Sequence, residues 1–161
     1  RHAHSPDLPR LEGGWGHDQD SRFKMRDDFS PIPGAEGWQL SNPPILSMAA
    51  VWSSLQLFEE VGMDRLRDKA IKLTGYLEYL INSLGDEVIN IITPSSIKER
   101  GSQLSIQVKN ANKTLFGKIS DAGVIADWRE PDVIRVAPIA MYNSFEDVYN
   151  FYTILKNAIS E

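Results

Sequence analysis

The chain has 161 residues, 42% hydrophobic, 9% aromatic and 24% charged, a composition that excludes disorder and collagen-like or coiled-coil bias and suits one domain with a real core. Seventeen Lys+Arg against 22 Asp+Glu give a net charge of -5, which argues against a broad basic surface for nucleic acid. With no cysteine there is no disulfide, zinc finger, iron–sulfur cluster or thiol nucleophile, and a reducing compartment is expected.

The opening Arg-His-Ala-His-Ser-Pro shows no signal-peptide pattern and reads as a chain that begins inside a longer one. The first 44 residues hold 5 of the 11 glycines, 6 of the 9 prolines and all three histidines. Proline removes donors and glycine loosens the backbone, so an extended segment is expected here. Its turns fall at Ser5-Pro6-Asp7, Pro31-Ile32-Pro33-Gly34 and Ser41-Asn42-Pro43-Pro44. Residues 1–43 are expected to be mobile, and residues 44–161 to fold alone.

Ser41 and Asn42 are good helix caps, and proline suits the first helical position. Ile45, Met48, Ala49, Trp52, Leu55 and Phe58 then mark one face of a helix that Gly62 ends. The longest apolar stretch, Ile45 to Trp52, contains a serine and falls short of the roughly 18 residues a membrane span needs. A second helix follows, with Leu66, Ala70, Leu73, Leu77, Leu80 and Leu84 as its apolar seam. Val88 to Ile92 reads as a strand, and Leu104 to Val108 as another with one wet face. Ala111 to Ala122 is expected to be a helix that stops at Gly123. Val124 to Trp128 and Val133 to Ala137 are two more strands around the turn Glu130-Pro131-Asp132. Ser144 and Asp147 fit a capping box at the start of a last helix, whose apolar face is Phe145, Val148, Tyr149, Tyr152, Leu155 and Ile159. The order predicts an α+β fold, with helices on one face of a small antiparallel sheet.

Candidate chemistry is sparse. His2, His4 and His17 beside Asp18 and Asp20 lack a fixed set of three or four converging ligands, so no metal is expected. Gly13-Gly14-Trp15-Gly16 has neither the preceding strand nor the following helix of a nucleotide-binding loop. Arg135 stands inside the otherwise apolar run Val133 to Ala137. A guanidinium there needs a partner or an edge position, and its planar fork matches a carboxylate. Ser41-Asn42 is open to two readings, a helix cap or a polar anion site at a helix N-terminus.

Several segments, in order, carry a resemblance: Gly16-His17, Ser21 to Met25, Pro31 to Ala35, Ser41-Asn42-Pro43-Pro44-Ile45-Leu46, Lys72 to Leu80, Asn90 to Ser95, Glu99-Arg100-Gly101 and Ile134-Arg135-Val136-Ala137-Pro138. Together they resemble the C-terminal part of the kynureninase family, and the match spans essentially the whole chain. The resemblance implies a pyridoxal-phosphate (PLP) enzyme of the aspartate-aminotransferase fold (fold type I). Such an enzyme hydrolyses L-kynurenine or 3-hydroxykynurenine to an anthranilate and L-alanine, in tryptophan catabolism and NAD biosynthesis.

The resemblance divides the chain into an extended segment belonging to the large domain (1–43), linking helices (44–84) and a small C-terminal domain (85–161). It implies that Arg135 grips the substrate carboxylate, and that Asn42, with Ser41 beside it, lies at the cofactor and substrate site. The family's tryptophan that donates to the cofactor phosphate corresponds here to Gly14, and Trp15 matches the aromatic residue after it. The Schiff-base lysine is expected upstream of Arg1, so the chain alone should be inactive. The implied partners are a kynurenine-type substrate and a second subunit (a homodimer) or the missing N-terminal half. The implied location is cytoplasmic, with no nucleic acid and no membrane. Two alternatives of other classes are a non-catalytic carboxylate-binding module and an oligomerisation element.

Overall fold

A computed structural model describes residues 8–24 and 26–160 of the chain, which divides into two compact units between Leu57 and Phe58. The His2-x-His4 pair and the Ser5-Pro6-Asp7 turn lie outside the described residues.

The first unit is largely irregular, with two short 3-10 turns at Gly14–Gly16 and Ala35–Trp38. Its chain doubles back on itself through an isolated bridge between His17 and Pro31, closed by Asp18 N–H donating to Ser30 O (2.7 Å) and Ile32 N–H to Gly16 O (2.8 Å). Glycines let the strands of this loop approach closely: a Cβ on Gly13 would run into the backbone of Leu40, and one on Gly16 would come within 2.7 Å of Gly37 O.

Helix α1 is Ile45–Val61 and helix α2 is Met63–Asn82, separated by Gly62 at φ 86. Two expectations about α1 are corrected. Ser41 and Asn42 do not cap it: the first helical bond runs from Met48 N–H to Pro44 O (2.9 Å), and the helix begins at Ile45. A residue before proline is driven out of the α region, and Asn42 and Pro43 both precede one, so no helix can form before Pro44. Nor is the predicted face of α1 covered among the described residues. No residue of α1 is buried, and Leu46 and Trp52 are 88% and 62% exposed.

Helix α2 keeps its predicted seam. Leu66, Ala70, Leu73, Leu77 and Leu80 are all buried, with Leu84 packed against the core just beyond the helix end. Strands β1 (Ile89–Ile91), β2 (Leu104–Val108), β3 (Asp127–Arg129) and β4 (Val133–Val136) form one antiparallel sheet in the order β1-β2-β4-β3. Alternation along β2 sends Leu104, Ile106 and Val108 into the core and leaves Ser105 and Gln107 on the other face. Strand β3 starts three residues later than expected, because only Asp127, Trp128 and Arg129 find partners on β4.

Helix α3 (Lys113–Asp121) is capped by Asn112, whose Oδ1 accepts from Thr114 N–H (2.9 Å) and Leu115 N–H (3.1 Å); this cap fixes a start two residues inside the expected one. Gly123, at φ 93, ends that segment as its sequence suggests. Helix α4 (Phe145–Ser160) has the expected capping box: Asp147 N–H donates to Ser144 Oγ (3.1 Å) and Ser144 N–H to Asp147 Oδ2 (2.7 Å). Its buried side chains are Val148, Phe151 and Leu155, whereas Phe145 and Tyr149 of the expected face are exposed.

Leu73, Leu77, Ile81, Leu104, Ile106, Ile119, Ile134 and Leu155 form the centre of the second unit's core, drawn from α2, α3, α4 and one face of the sheet. Each such side chain contributes about 1.5–3 kcal/mol of burial. The opposite face of the sheet, with Ser105, Gln107 and Arg135, is left polar.

Candidate active site

Arg135 lies on β4, which is an interior strand, so the edge-strand reading of this residue is overturned and the partnered one holds. The partner is Asp127, directly across from it on β3, as Ser105 is on β2. Arg135 Nε–H donates to Asp127 Oδ2 (2.7 Å) and its Nη2 donates to the same oxygen. Arg129 reaches that oxygen too, through Nε and Nη2, both at 3.1 Å. The hydrogen bond from Arg135, with the charges of both arginines, holds the Asp127 carboxyl below the usual carboxylate range against the opposing cost of desolvation. Arg135 Nη1 has no acceptor among the described residues.

Sequence reasoning singled out Arg135 and missed Asp127. The signal was present: a hairpin centred on Pro131 pairs residue 127 with residue 135 and residue 129 with residue 133.

In the first unit, Gly14 and Trp15 occupy the 3-10 turn that rests on Gly37 to Leu40. Ser41 and Asn42 follow that stretch directly in the chain. The Ser41 hydroxyl and Asn42 amide are exposed and make no hydrogen bond among the described residues. Trp15 is half-exposed, and the Arg22 guanidinium lies 4.7 Å over its ring while Arg22 Nη2 donates to Trp15 O (3.0 Å) and His17 O (3.2 Å). Arg22 was not anticipated.

His17, which the sequence offered only as a member of an incomplete ligand set, is buried inside the loop. Ser30 N–H donates to its Nδ1 (3.3 Å), so Nε2 carries the proton and donates to Ser21 Oγ (3.0 Å), which in turn donates to Asp18 Oδ2 (2.8 Å). That last bond draws the Asp18 carboxyl below its ordinary value. No group of three or more His, Cys, Asp or Glu that could hold a metal occurs among the described residues.

A cleft of about 700 Å³ runs beside α4, lined by Leu77, Val136, Pro138, Asn143, Phe151 and Ile154. Its lining includes Val136, the residue after Arg135, but none of the site residues.

The family model for the kynureninase C-terminal domain matches residues 66–155, more than half of the chain. The chain belongs to the kynureninase C-terminal domain family. Among curated kynureninases, that of Myxococcus xanthus is 52% identical over 161 residues, covering 100% of this chain and 38% of the relative. That of Koribacter versatilis is 49% identical over 94% of this chain and 36% of its own length. The chain thus spans under two-fifths of the kynureninases it matches. Solved structures with the same fold include the apo cysteine desulfurase of Thermococcus onnurineus (TM-score 0.70, 16% identity, 94% of this chain and 39% of that one). Another is a C-DES mutant with glycine covalently linked to its PLP cofactor (TM-score 0.67, 15% identity, 93% and 38%). The four helices and four-stranded antiparallel sheet described above are therefore the C-terminal architecture of PLP fold-type-I enzymes.

Proposed function

We propose that this chain is the carboxylate-binding part of a kynureninase. In the intact polypeptide it serves hydrolysis of L-kynurenine or 3-hydroxykynurenine to anthranilate or 3-hydroxyanthranilate and L-alanine, a step of tryptophan catabolism and NAD biosynthesis. The observation that carries the reading is Arg135, a guanidinium on an interior strand with Nη1 unpaired among the described residues. A carboxylate is the ligand such a fork fits best, since two parallel N–H···O bonds give both energy and orientation.

The residues present also fit PLP. Among the described residues, no atom other than those of Gly14 and its two chain neighbours lies within 4 Å of where a Gly14 side chain would begin, and the Ser41 and Asn42 side chains are exposed and unpaired. We assign Asn42, Trp15 and the Gly14 position to the cofactor, and Arg135, Ser41 and Asn42 to the substrate. PLP, when bound, supplies the electron sink for breaking the substrate's carbon–carbon bond. The chain's own residues do the holding. Arg135 fixes the carboxylate, Asn42 offers an amide donor and acceptor, and Trp15 offers an aromatic face stiffened by Arg22.

The lysine that would carry the cofactor is assigned to the part of the relatives' length that this chain does not span, so the chain alone is inactive. A cytoplasmic location fits a chain without cysteine, among whose described residues no helix is long and apolar enough to cross a membrane. The exposed apolar side chains of α1 support a homodimer, or a contact with the N-terminal half. In the intact polypeptide, Arg135→Ala should raise KM for kynurenine by about 100-fold, as expected when a charged partner of a carboxylate is lost. An unchanged KM would refute the assignment.

A further inference from the structure

We propose that Asp127 is a positioning residue for Arg135, fixing which edge of the guanidinium meets the substrate's carboxylate. The inference rests on the carboxylate-binding reading above and adds a residue to it.

Asp127 and Arg135 face each other across the β3–β4 pair, on the sheet face opposite Trp128 and Ile134, whose side chains join the core. A guanidinium offers two edges that can each clasp a carboxylate, a side edge (Nε and Nη2) and an end edge (Nη1 and Nη2). Asp127 occupies the side edge, with both donors directed at Oδ2. What remains is the end edge, which is the one that projects furthest from the strand.

Arg135 is a long side chain, about one-third exposed. Unrestrained, it would sample many rotamers, and each binding event would have to order it again. A fixed carboxylate on the neighbouring strand orders it beforehand.

Stability is a weak explanation for this pair, because both partners are partly exposed and such ion pairs contribute little. Charge balance points the same way. Arg129 and Arg135 both donate to Asp127 Oδ2, so two cations meet one anion and the cluster keeps one positive charge for an incoming carboxylate. The neighbouring acid, Asp132, is engaged by Gln107 Nε2 at 3.1 and 3.3 Å.

Two measurements test this. In the intact polypeptide, Asp127→Asn should raise KM for kynurenine about tenfold with kcat within about twofold, the signature of a misoriented carboxylate clamp. The amine analogue that lacks the α-carboxylate should inhibit parent and variant equally. In the 161-residue chain itself, the Arg135 Nε–H signal in ¹⁵N NMR should be protected from solvent exchange. That protection should be lost in Asp127→Asn and partly restored in Asp127→Glu.

A fall in kcat and melting temperature with KM unchanged, or an Nε–H signal indifferent to Asp127→Asn, would overturn the positioning role. If Arg135→Ala also leaves KM unchanged, the carboxylate reading falls and the positioning role falls with it. If Arg135→Ala raises KM while Asp127→Asn does not, the positioning role alone is wrong.

Discussion

Replacing Glu78 by alanine should be among the most destabilising single changes in the second unit. The Arg100 side chain is 4% exposed, and its Nη2 donates to Glu78 Oε2 at 2.6 Å. Its other acceptor among the described residues is Pro94 O, at a marginal 3.5 Å. Without Glu78 the guanidinium is left buried with almost nothing to accept from it. Breaking a buried ion pair from one side costs about 3–5 kcal/mol. Glu78 is 22% exposed, so water can partly replace it, and the lower end, about 3 kcal/mol, applies. That is roughly a 150-fold shift in the folding equilibrium, and about 12 °C or more in melting temperature for a unit of this size.

The assay is urea unfolding followed by far-UV circular dichroism, with Glu78→Gln, which keeps an acceptor but not the charge, expected to lose less than Glu78→Ala. Replacing both partners by apolar residues should cost less than Glu78→Ala alone, because no charge is then stranded. The consequence reaches the site. The 94–101 stretch is held to α2 by this pair and by Arg67 Nη2 donating to Ile97 O and Arg100 O. Just upstream, Thr93 Oγ1 accepts from the backbone N–H of Ser105, the residue across from Arg135. An unchanged urea midpoint in Glu78→Ala would refute the reasoning, as would a double variant whose cost equals the sum of the singles.

Three other outcomes are expected. Gly14→Trp should fit without strain, since nothing lies within 4 Å of its Cβ position, and should slow PLP loss on dialysis of the intact polypeptide; faster loss would count against the assignment. The Asp127 carboxyl is held below 3.8, chiefly by Arg135, so its contribution is complete above the unfolded value and disappears as pH falls through the lowered one. The melting temperature should therefore fall below about pH 4, by only a small amount because the pair is partly exposed and screened, and Asp127→Asn should make that fall a little shallower; an identical profile in both would exclude this group as a source. Because Leu46 and Trp52 of α1 are exposed, the 161-residue chain should self-associate, and Leu46→Glu with Trp52→Glu should return it to monomer in sedimentation velocity; concentration-independent monomer in the parent would refute this.

Local chemistry in the sequence determined much of this protein by itself. Leucines three and four apart fixed the buried face of α2, Ser144 and Asp147 fixed the start of α4, and Gly62 and Gly123 fixed where segments end, because each depends on neighbours within a turn of helix. The motifs around Asn42 and Arg135 likewise named the family. Other features needed atoms distant in the chain. Whether α1 is buried is not encoded in its own apolar residues, since periodicity specifies a face and not the surface it meets. Strand order made β4 interior, and with it Arg135 acquired Asp127, Arg129 and Ser105 as neighbours. Its apolar run demanded a partner for that charge, but only the cross-strand register could say which one, because pairing across a sheet is set by backbone hydrogen bonds between segments that the sequence lists apart.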